Sequence, residues 1–111
     1  MKDEKMILYM ISEKADYKAT GIYENGKIRV LKSSKIRQAN INTKRVEFVN
    51  KIRNDENYVG ENLILKKDIV FPSPSTAAQF VADTSRNGLL YWRNAENVKL
   101  KDILNKGEKN G

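Results

Sequence analysis

The sequence predicts an α+β fold: a small antiparallel sheet built on an N-terminal hairpin and packed with two main helices. Three observations carry this reading. An alternating stretch that ends in Asn25-Gly26 and resumes at Lys27 reads as two strands joined by a tight turn. Val46, Phe48, Val49 and Ile52 recur at helical spacing. Ser73-Pro74, followed by Ala77, Phe80 and Val81, opens a second helix with a cap and a proline preorganised for the first turn.

Taken in order, residues 6–11 form an apolar run of strand length. From Ala15 the pattern has period two: Ala15, Tyr17, Ala19, Gly21 and Tyr23 share one face, with Asp16, Lys18, Thr20 and Glu24 opposite. The return strand spans 27–32, with Ile28 and Val30 inward and Arg29 outward. A polar stretch, 33–42, reads as a loop. Asn42 or Thr43 then caps the first helix, about 43–54, whose first turn holds Lys44 and Arg45. Residues 63–71 read as strand, with a break at Lys66-Lys67. The second helix covers about 73–85, with Gly88 as its left-handed terminator. A short strand at 89–93 and a last helical turn at 100–104 complete the fold.

At 111 residues the chain fits one domain, here 6–105 between frayed ends at 1–5 and 106–111. It has neither cysteine nor histidine, which removes disulfides, thiolate metal sites, and the commonest metal ligand and acid–base group. Zinc sites, Ser-His-Asp triads and Cys-His dyads are excluded by residue type. No catalytic residue, metal or cofactor is expected, and the protein is not expected to be an enzyme. The longest apolar run is too short for a signal-peptide core or a membrane span, so the expected setting is cytoplasmic, with no membrane partner.

The charge is uneven. Residues 27 to 53 carry nine basic side chains against one acid, Glu47, a net +8, whereas the other 84 residues hold 12 basic and 13 acidic ones. Such a segment attracts polyanions, or serves only to keep a surface solvated. Within it, Lys32, Ser33, Ser34, Lys35 and Arg37 make a basic, hydroxyl-rich loop suited to phosphate contacts, with an ordinary polar connection as the alternative. Lys44 and Arg45 sit at the positive end of the helix dipole, where a bound anion would offset their cost. Ser73 and Ser75 offer hydroxyls at the second helix start, as an anion contact or simply as caps. Trp92 with Tyr91 fits either base stacking or core packing, and packing is the better reading for a lone tryptophan.

Gly21-Ile22-Tyr23 matches the first half of the GIY-YIG nuclease motif, but the nearest second half, Tyr58-Val59-Gly60, is much too distant. A wider set does match a family. Gly21-Ile22-Tyr23-Glu24-Asn25-Gly26, Val30-Leu31-Lys32-Ser33-Ser34-Lys35-Ile36-Arg37, Phe71-Pro72-Ser73-Pro74-Ser75-Thr76-Ala77-Ala78, Asn87-Gly88 and Trp92 occur in order over residues 18–105. The set resembles an uncharacterised bacterial and archaeal domain found C-terminal to GIY-YIG nucleases and in restriction-modification proteins. It is similar to the RAMA (restriction enzyme and adenine methylase associated) domain. Ser33 stands where the family usually has glycine, and Leu89 where it has an aromatic residue. The resemblance implies a DNA-associated accessory module and, through the RAMA relatives, a reader of modified DNA. The expected partner is therefore DNA; the alternative is a module that docks a nuclease or methylase partner protein.

Overall fold

The hairpin turn forms as its sequence requires: Asn25 and Gly26 both hold positive φ, 56° and 80°, the pair of values a two-residue turn needs to match strand twist. The computed structural model describes residues 5–40, 42–84 and 87–109. In it, β1 (Met6–Ser12), β2 (Tyr17–Glu24), β3 (Lys27–Val30) and β4 (Ile69–Phe71) form one antiparallel sheet in the order β1-β2-β3-β4. The period-two reading holds. Leu8, Met10, Tyr17, Ala19, Ile28, Val30, Ile69 and Phe71 point inward and are buried.

Helices α1 (Glu47–Arg53), α2 (Pro74–Ala82) and α3 (Leu100–Lys109) complete the α+β architecture. α2 packs against β2, β3 and β4, as well as α1. Its inward residues, Ala77, Phe80 and Val81, are those the spacing selected, and small Ala78 and Ala82 are buried with them.

Five boundaries differ from the sequence reading. β3 stops at Val30 because residues 31–34 turn away, with Ser33 at φ 77°; Lys35 then rejoins the sheet, bridging Lys18 and Ile64. α1 begins at Glu47, not near 43. Arg45 and Asn40 are held by Asp83, Val46 stays extended and gives its N–H to Gln79 Oε1 at 2.9 Å, and neither Asn42 nor Thr43 is the N-cap. Asp83, not Gly88, supplies the left-handed residue that ends α2, at φ 55°; the predicted stop near Ser85 lies outside the described residues. Residues 88–90 form a 3-10 turn in place of a strand, and only Arg93 pairs with β1, through Tyr9. α3 runs past Leu104 to Lys109. The expected break in 63–71 is real: a 3-10 turn at Glu61–Leu63 and bridges at Ile64 and Leu65 precede β4. Among the described residues no helix is long and apolar enough to cross a membrane.

Candidate nucleic-acid interface

The six backbone amides of residues 32–37 are all spent inside the fold. Lys32 N–H donates to Asp68 Oδ1 (2.8 Å), Ser33 to Leu65 O, Ser34 to Leu31 O, Lys35 to Lys18 O, Ile36 to Leu63 O and Arg37 to Val81 O. Ser34 is buried, and its hydroxyl accepts the Thr20 N–H at 3.1 Å, standing in for a missing strand partner. What this segment offers to a phosphate is therefore side-chain charge alone. Lys32 and Arg37 are exposed, while Lys35 Nζ lies 3.0 Å from both oxygens of Asp16 in an open, solvent-screened pair.

Lys44 and Arg45 do not occupy a helix first turn; Glu47 does, which suits the dipole. Arg45 turns inward instead. Its Nε meets Asp83 Oδ1 at 2.5 Å and its Nη2 meets Asp83 Oδ2 at 3.2 Å, while Asn40 N–H donates to Oδ2 at 2.6 Å. Burial alone would push the Asp83 carboxyl up, but these donors and the nearby Arg53 together hold it below its ordinary value. Arg53 is the second cation here and is buried, stacked 5.7 Å over the Phe80 ring. Desolvation brings its guanidinium down to about 10, against the opposing pull of Asp83.

Ser73 and Ser75 are likewise engaged. Ser73 Oγ accepts the Thr76 N–H at 3.1 Å as the N-cap of α2, and Ser75 Oγ accepts the Gly88 N–H at 3.0 Å. Trp92 is fully buried, and its Nε1–H donates to Pro74 O at 3.2 Å. Its ring lies on Gly21, where a Cβ would come within 3.0 Å of Cζ3. The separate motif words of the sequence thus form one packed unit, which accounts for their spacing without a ligand.

The surface that gathers charge is the outer face of the sheet. Residues paired across strands project to the same side. One row runs Ile7, Ile22, Arg29, Val70 and another Ile11, Lys18, Lys35, Ile64, with Arg93, Tyr9 and Thr20 between them. Lys27 lies beyond Arg29, opposite Glu24. No described element covers this face: Ile7, Ile11 and Val70 are 57%, 56% and 51% exposed. It therefore presents Lys18, Lys27, Arg29, Lys35 and Arg93 among apolar side chains, with Glu24 beside Lys27 and Asp16 paired to Lys35. The alternation placed Lys18 and Arg29 outward, but joining Lys35 and Arg93 to them required the turn at 31–34 and the β1 edge contact. The +8 segment is split: Lys27, Arg29 and Lys35 belong to this face, and Arg45 and Arg53 to the helical layer.

At the β1 edge a cavity of about 860 Å³ opens between Tyr9, Tyr17, Tyr91, Leu90, Arg93 and Asn94. Burial pushes the Tyr17 phenol up, with Tyr91 adding to the effect, while Arg37 and Arg93 oppose it. Among the described residues no three acidic side chains converge where they could hold a metal ion.

No curated protein and no solved structure matches the chain. A family model described as a domain of unknown function, DUF4357, matches residues 9–104, and the chain belongs to that family.

Proposed function

We propose that this domain is a non-catalytic DNA-binding accessory module that lays its open sheet face on the DNA. The observation that carries the reading is the cluster of Lys18, Lys27, Arg29, Lys35 and Arg93 on one uncovered face. Cations on a face free of helices displace phosphate counterions, and the interleaved Tyr9 and isoleucines give bases or sugars an apolar floor. The RAMA-like resemblance of its motifs supports a restriction-modification or nuclease setting for such a module. Reading a modified base would fall to the tyrosine-lined cavity at the edge of the same face, because an unstacked base is held between aromatic walls.

The test is titration of duplex DNA at two salt concentrations with the wild type and with the double variant Lys18→Glu, Arg29→Glu. The reading expects a salt-dependent affinity, weakened about tenfold or more in the variant, with a salt slope smaller by about two. Binding that ignores salt, or that the variant leaves intact, refutes it. Lys51→Glu, on the exposed side of α1, serves as the control for net charge. Competition between methylated and unmethylated duplexes then tests base reading.

The exposed Ile7, Ile11 and Val70 on that face favour a second reading, a docking surface for a nuclease or methylase partner. Ile7→Asp that abolishes co-purification with such a partner, while Lys18→Glu, Arg29→Glu leaves it intact, would select this alternative.

A further inference from the structure

The helical layer holds a buried charge imbalance that the sheet-face reading does not use. Two guanidiniums share one carboxylate: the side chains of Arg45, Arg53 and Asp83 are 11%, 4% and 1% exposed. Both Asp83 oxygens are already occupied, by Arg45 and by the Asn40 N–H. Arg53 is left over. Its Nε is 3.9 Å from Asp83 Oδ1, beyond hydrogen-bond reach, and among the described residues Nε and Nη2 have no hydrogen-bond partner. A buried cation short of protein acceptors is costly, because burial strips it of solvent and Asp83 is already engaged elsewhere.

A cavity of about 520 Å³ adjoins this cation, and Arg53 forms part of its wall. The rest of the wall is mostly polar, Gln38, Asn40, Asn50 and Asn54 with Arg45, and Ala39 and Leu63 complete it. None of these is an acid, so the cluster's uncompensated positive charge is the field an entering ion meets.

We infer that this pocket is an oxyanion site that takes a phosphate group, with Arg53 as its principal cation. The guanidinium fork fits the tetrahedral oxygens, the amides of Gln38 and Asn50 supply neutral donors, and the incoming charge balances the second arginine. Asp83 holds Arg45 in place and leaves Arg53 for the ligand.

The probe is inorganic phosphate, titrated against sodium chloride at matched ionic strength while the Arg53 and Arg45 Nε–Hε resonances are followed by NMR. The expected result is a saturating shift of the Arg53 resonance with phosphate alone, and an affinity at least tenfold weaker in Asn50→Ala, whose side chain is exposed and whose loss leaves the fold intact. Arg53→Met, which keeps the contact with Phe80, should abolish saturation of the remaining signals. A linear drift, an equal response to chloride, or saturation that survives Arg53→Met overturns the site. A short oligonucleotide that saturates the same resonance at lower concentration identifies nucleic acid as the phosphate source; saturation by the free ion alone identifies a small phosphate ligand. The sheet-face variant Lys18→Glu, Arg29→Glu should bind phosphate like the wild type, so the two readings fail separately.

Discussion

Replacing Gly88 by alanine should be the most damaging single-methyl change in the molecule. A Cβ there would lie 2.1 Å from Pro74 O, 2.3 Å from Pro74 C and 2.5 Å from Ser75 N. All three are backbone atoms at the start of α2, so no side chain can swing aside. Relief demands a displacement of roughly 1 Å between the 88–90 turn and α2 in a close-packed interior. That movement breaks the Gly88 N–H bond to Ser75 Oγ at 3.0 Å and stretches the Trp92 Nε1–H bond to Pro74 O at 3.2 Å. One net hydrogen bond is worth about 1 kcal/mol, and a buried indole N–H left unpaired costs about 1–3 kcal/mol more. The sum is about 2–4 kcal/mol, which at about 4 °C per kcal/mol lowers the Tm by roughly 8–16 °C. Thermal melting by circular dichroism measures it. Gly60→Ala is the control, because the Cβ there first meets the flexible Lys66 side chain, at 3.2 Å. A Gly88→Ala protein within about 1 kcal/mol of the wild type would refute the packing argument.

Asp83→Ala leaves two buried guanidiniums without their carboxylate and should cost about 3–5 kcal/mol in urea denaturation, more than Asp83→Asn, which keeps an acceptor for the Asn40 N–H. Because the folded Asp83 carboxyl is held below its unfolded value, its stabilisation is complete above about pH 4 and is lost as pH falls through the folded value. Urea midpoints between pH 2 and 6 should show this acid limb, and Asp83→Asn should flatten it. Ser33→Gly should raise stability by up to about 1 kcal/mol, since Ser33 sits at φ 77°, a left-handed conformation that glycine adopts without strain; an unchanged or lower urea midpoint would count against it.

What the sequence made legible was local. The Asn25-Gly26 turn and the Ser73 cap each depend on a few adjacent residues, and both formed as read. The start of α1 was not legible, because the contact that holds residues 40–45 extended comes from Asp83, some forty positions away. The candidate interface was half legible. Alternation put Lys18 and Arg29 outward, but the register that sets Lys35 beside Lys18 depends on a turn whose buried Ser34 hydroxyl completes the ladder. The engagement of residues 32–37 within the fold was hidden for the same reason: Ser34, which looks like a ligand donor from its neighbours, is a strand substitute in three dimensions. Ser-Pro-Ser and Asn-Gly likewise read as a start and a stop, although their physical role is to touch each other.

Trp92 gives this protein a built-in optical gauge. It is the sole tryptophan of the chain, fully buried and hydrogen-bonded where Gly21 and Pro74 meet. Its fluorescence therefore reports the closure of the whole motif unit and nothing of the solvent-facing side of the sheet. A ligand on that side should quench or shift the tyrosine signal while tryptophan emission stays blue and constant, whereas any substitution that loosens the α2 junction should redden it. One spectrum then separates a variant that has lost its ligand from one that has lost its shape.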